Sequence, residues 1–148
     1  MFAGEQWPGV DFSEVRAYAW PAKYETEAVV LSDMSLDPKV LNPDGAPLSP
    51  KQVDSLLSVV RGEHRKYAVA SCHVPHNAFV FYDAAKKPVA YIEICFGCLN
   101  HRIAPQNTSR FINLPELAVL FSELKLPLGE YPDAATFKKH FRERTYRK

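Results

Sequence analysis

Between Ser49 and Gly62 apolar residues recur at Val53, Leu56, Leu57 and Val60, the i, i+3, i+4, i+7 spacing of one helical face. Ser49 stands at the N-cap, and Pro50 fills the first helical position, where a missing N–H costs nothing. Gln52 lies three residues after the cap and closes a capping box. With Gly62 as the stop, the pattern predicts a core-packing helix over 50–61. A second helix is expected after Asn113, with Glu116 as its capping-box partner and Leu117, Leu120, Phe121 and Leu124 inward; Pro127 ends it. Asp133 caps a third, with Phe137, His140 and Phe141 turned to the core.

Elsewhere the period is two. Val15, Ala17 and Ala19 alternate with Arg16, Tyr18 and Trp20, which reads as a strand, and Glu27 to Leu31 is a second short β-rich run beyond Pro21. Residues 32–48 form a loop with a turn at Asn42-Pro43-Asp44-Gly45. Lys66 to Cys72 alternates weakly and reads as a strand. Ala78–Tyr82 and Val89–Phe96 are rich in β-branched and aromatic residues, and the polar run Asp83 to Lys87 between them suits a hairpin loop. The expectation is one α+β domain spanning 1–148, with an antiparallel sheet, a central hairpin and about three helices.

Composition changes this picture little. In 148 residues, 47% are hydrophobic and 24% charged, which suits a globular chain with a core of its own. Lys plus Arg number 18 against 17 Asp plus Glu, so the net charge of +1 gives no whole-body attraction to nucleic acid or membrane. Residues 138–148 carry +5, leaving the rest at −4. Cations in the last turns of a helix suit its dipole, and the sharper alternative is a basic patch for an acidic protein partner. No apolar run is long enough for a transmembrane segment. The first residues do not read as a signal peptide, although a chain whose signal had been trimmed would look the same. Three cysteines are too few for a disulfide-stapled secreted scaffold, so a reducing, cytoplasmic compartment is favoured.

Those cysteines carry the one concentration of chemistry. Cys95-Phe96-Gly97-Cys98 is a Cys-x-x-Cys ending the second hairpin strand, and Cys72-His73-Val74-Pro75-His76 precedes the first. Antiparallel pairing of 78–82 with 89–96 brings the chain before 78 beside the chain after 94, so Cys72, His73 and His76 should approach Cys95 and Cys98. Three readings follow. A zinc or similar transition-metal site would use Cys72, Cys95, Cys98 and a histidine, His76 being the first choice over His73 and His101. Thiol–disulfide chemistry would use Cys95 and Cys98, with Cys72 as a third exchanging thiol. Glu93, two residues before Cys95 on the same strand face, argues against a lowered thiol pKa there. In the third reading the cysteines are inert and packed, and the chain is a non-enzymatic interaction domain.

His64 and His140 read as structural. The aromatics Phe79, Phe81, Tyr82, Tyr91 and Phe96 read as core, because no basic residues interleave with them. No phosphate loop, nucleophile elbow or paired-histidine zinc motif is present, and a Cys95–His76–Glu93 nucleophile, base and orienter is not singled out by spacing.

The run Cys-x-x-Pro, Ala-Phe-Val-Phe-Tyr-Asp and Tyr-Ile-Glu-Ile-Cys-Phe-x-Cys, at Cys72, Pro75, Ala78 to Asp83 and Tyr91 to Cys98, resembles a family of small uncharacterised bacterial proteins. The resemblance covers under a fifth of the chain and implies no known activity. The family carries Arg-His after the proline where this chain has His76-Asn77, which leaves the three cysteines as the firmer residues. It implies that the cysteine constellation is a shared feature, favouring metal or disulfide over inert packing. Metal binding, with zinc as the implied cofactor, is the first expectation.

Overall fold

The computed structural model describes residues 6–24, 30, 32–106 and 111–144. Its elements are β1 (Glu14–Ala19), β2 (Ala46–Pro47), α1 (Pro50–Val60), β3 (Asn77–Tyr82), β4 (Pro88–Cys95), β5 (Asn100–Ala104), α2 (Leu114–Glu123) and α3 (Ala134–Glu143). The five strands form one antiparallel sheet in the order β2-β1-β3-β4-β5, so the α+β expectation holds.

The central hairpin is β3 and β4, with Asn77 opposite Ile94 and Ala78 opposite Glu93. Asp83 holds its loop closed, one carboxylate oxygen accepting from the backbone N–H groups of Ala85 and Lys87 at 2.9 Å each. The pleat sends Val15, Ala17, Phe79, Phe81, Ala90, Ile92 and Ile94 to one face. There they meet Leu56, Val59 and Val60 of α1, Leu117 and Phe121 of α2, and Phe137 and Phe141 of α3. Tyr18, Trp20, Ala78 and Val80 face the other way and are covered by Met34, Leu36 and Val40. The 32–45 stretch is thus the lid of a second, smaller core, and the expected 32–48 loop gives way at its end to β2, which pairs with β1. Asn42 fixes the lid by pairing with β1 like another strand, accepting from Ala19 N and donating to Ala17 O at 3.0 Å each.

The caps fall where the sequence put them, but the expected box at Asn113 is only half made, because the Asn113 N–H donates to Val59 O and not to Glu116. Both bonds of the Ser49–Gln52 capping box are present, Asn113 accepts from Glu116 N, and Asp133 accepts from Thr136 N. The expected β-run at Glu27–Leu31 lies outside the described residues except Val30, which forms an isolated bridge with Leu36. Lys66–Cys72 is not a strand. Its backbone groups are met crosswise: Ala68 N donates to Arg144 O, Arg144 donates back to Ala68 O from its guanidinium, and Ala70 N donates to Cys98 O. The segment between α1 and β3 therefore lies across the β4–β5 turn. Among the described residues no helix is long and apolar enough to cross a membrane.

Candidate functional site

The site grows out of the open end of the central hairpin. Beyond Asn77 the pairing continues for one more residue, with His76 N donating to Ile94 O at 3.3 Å and Trp20 N donating to His76 O at 2.9 Å. On the other strand β4 passes through a four-residue turn, Phe96 to Leu99, into β5, with Cys95 opposite Asn100. Cys98 sits in that turn and meets the segment lying across it. Ala70 N binds the Cys98 carbonyl at 2.9 Å, and the Asn100 amide donates to Cys72 O at 3.0 Å.

Here Cys72 and Cys98 are joined by a disulfide, with S–S 2.03 Å and Cα atoms 5.8 Å apart. Cys72 is solvent-exposed, whereas Cys98 is 5% exposed. Cys95 is a free thiol, also 5% exposed.

This corrects the expected pairing within Cys-x-x-Cys. Cys95 is the last ladder residue of β4, and the pleat places it with Glu93 on one face of the sheet. Cys98, released from the ladder into the turn, is free to face Cys72. The expected four-ligand metal set is not assembled either. Cys72 and Cys98 are bonded to each other and offer no thiolates, while Cys95 and His76 line a cavity wall. Among the described residues no three His, Cys, Asp or Glu side chains are grouped to hold a metal ion.

That cavity, of about 710 Å³, lies between the sheet end and the loop before α3. Cys95, His76, Asn77, Phe96, Leu128 and Tyr131 line it. His76 Nε2 lies 2.8 Å from the Tyr24 carbonyl oxygen, so this nitrogen carries the ring proton and donates. Asn77 is fully buried; its amide N–H donates to Pro127 O at 2.7 Å, and among the described residues its Oδ1 has no hydrogen-bond partner. Burial pushes the Tyr131 phenol pKa up, Arg144 draws it down, and the nearby Cys95 sulfur adds to the rise.

Glu93 does not serve Cys95 and His76 as an orienter. It is 0% exposed and holds a separate cluster, its Oε1 accepting from His73 Nε2 at 3.1 Å and pairing with Arg102 at 3.3 Å, its Oε2 accepting from Val30 N. A buried carboxylate needs such partners. His101 nearby is held neutral, burial and then the positive charge of His73 pressing its pKa down to about 4. His64 and His140 occupy structural positions, the first bonded to Arg61 O and the second packed on Tyr131 at 5.5 Å.

Sequence reasoning named the three cysteines, His73, His76 and Glu93 but missed Arg102, Asn77 and Tyr131. The signal for the first was a glutamate inside the apolar run Tyr91-Ile92-Glu93-Ile94-Cys95, which demands a cation across the sheet. Comparison with protein-family models, curated proteins and solved structures found no match. The bacterial-family resemblance therefore rests on the residues quoted for it.

Proposed function

We propose that this protein is a thiol–disulfide exchange domain whose working bond is Cys72–Cys98. The observation that carries the reading is the asymmetry of that bond: one sulfur belongs to an exposed residue of an irregular segment, the other to a buried turn residue. Exchange requires a thiolate to approach one sulfur in line with the bond, and the Cys72 side offers that approach. A thiolate of a small-molecule or protein thiol attacks Cys72 Sγ and forms a mixed disulfide, and Cys98 leaves as a thiolate that takes up a proton. A second substrate thiolate then attacks the substrate sulfur of the mixed disulfide and releases Cys72. The protein gains two electrons and two protons, and the two substrate thiols become a disulfide. The reverse sequence reduces a substrate disulfide, and no metal or organic cofactor takes part.

The alternative role for this bond is a passive staple, and the two differ in reduction potential. Equilibrating the folded chain in dithiol/disulfide buffers, with quenching by acid and counting of free thiols, measures it. The expected outcome is a two-electron transition above about −300 mV, the level below which structural disulfides typically lie. A potential below that level, or a bond that opens only on denaturation, would refute the exchange function.

A further inference from the structure

Exchange at Cys72–Cys98 leaves one thiol without a role. Cys95 is reduced, stands three residues before Cys98, and faces a cavity it shares with His76. The Cys-x-x-Cys spacing that fails to form the observed bond is still one that closes disulfides. Two cysteines in different settings therefore compete for Cys98: Cys72 at an exposed position and Cys95 at a buried one.

We propose that Cys95 is an exchanging residue of this domain, a substituent within the disulfide rather than a packed bystander. Its thiolate attacks Cys98 Sγ, a Cys95–Cys98 disulfide forms as the Cys72–Cys98 bond breaks, and Cys72 departs as a thiolate. One S–S bond replaces another and no electron leaves or enters the protein, so no oxidant or reductant is required. The Cys95 proton passes to solvent in the cavity whose wall includes this residue and His76. The Cys72 thiolate is released at an exposed position, where water solvates its charge and supplies a proton.

The consequence is two oxidised isomers of one chain. In one, all surface sulfur is tied up. In the other, a nucleophilic thiol is displayed at Cys72 while the disulfide is stored inside, poised to attack the disulfide of a substrate. This assigns Cys95 a part in the exchange function proposed above and rests on that reading.

Alkylation without reductant tests it. The oxidised native chain is incubated with iodoacetamide, and the labelled cysteine and the surviving disulfide are located by peptide mass spectrometry under non-reducing conditions. The expected result is label accumulating on Cys72 with a matching Cys95–Cys98 disulfide, and at least a tenfold loss of Cys72 labelling in both Cys95→Ala and Cys95→Ser. Label confined to Cys95 with Cys72–Cys98 intact, or no label at all, overturns the proposal. The wild-type map is decisive on its own should either variant fail to fold. The two readings fail separately. A chain that is reducible in the expected range yet always maps as Cys72–Cys98 loses the Cys95 step and keeps the exchange function, whereas one that isomerises but resists reduction does the reverse.

Discussion

At the scale of single residues, the charges around the hairpin end are arranged so that few are left alone. Glu93 is buried in the sheet and takes hydrogen bonds or ion pairs from His73, Arg102 and the backbone of Val30. His101, on the neighbouring strand, is held neutral because burial and the His73 charge both oppose its protonation. Its pKa of about 4 lies below the ordinary 6.5, so between these values the unfolded chain binds a proton that the folded chain does not. The linked stability is complete above pH 6.5 and is lost as the pH falls towards 4. Chemical denaturation of wild type and His101→Asn across pH 7 to 4 isolates this contribution. The wild-type unfolding free energy should fall more steeply than the variant's, and parallel curves would show that His101 titrates normally.

At the scale of elements, the second face of the sheet depends on how the 32–45 stretch turns back to meet β1. Gly45 N donates to Asn42 O at 2.8 Å, closing the turn, and Gly45 has φ +75°. A Cβ there would come within 2.8 Å of Arg16 Cβ and of the Tyr18 ring and hydroxyl, in a backbone region that side chains already disfavour. Gly45→Ala should therefore lower stability by about 1–3 kcal/mol, read as a lower urea midpoint at unchanged slope. Gly62→Ala is the control, because a Cβ there meets nothing within 4 Å and only the backbone conformation resists it. Equal effects at the two positions would contradict the steric account of the turn.

Elements with strong local signals were legible to within a residue or two. Helix α1 has a complete capping box and an unbroken apolar stripe, and the β3–β4 hairpin has dense β-branched and aromatic strands about a polar loop. Strand β5 was not read, because Asn100-His101-Arg102 gives no apolar alternation on this edge strand, which owes its place to pairing with β4. Lys66–Cys72 failed in the opposite sense. Its weak alternation reflects Tyr67 in the core and backbone bonds to the β4–β5 turn and the end of α3, not a ladder. The site was half legible for the same reason. Hairpin geometry brought Cys72 to the β4–β5 turn, but the sequence spacing of Cys95 and Cys98 did not show that one ends a ladder and the other leaves it.

At the scale of the molecule, the disulfide joins two segments that the core already anchors, through Tyr67 on one side and Phe96 and Leu99 on the other. The loop it closes has a sequence separation of 26, and the chain-entropy account gives such a crosslink about 3.5 kcal/mol. The sheet, the three helices and the backbone bonds of the 66–76 segment do not depend on the sulfurs, so reduction should leave a folded chain that melts about 10 °C lower. Working exchange proteins need both forms to be folded. The native rate of reduction decides whether this bond is a working one. Under excess small dithiol at neutral pH and without denaturant, the account predicts that Cys72–Cys98 opens within about tenfold of the rate for the unfolded chain, because its outer sulfur belongs to an exposed residue. Reduction that proceeds only as fast as the protein globally unfolds would contradict it.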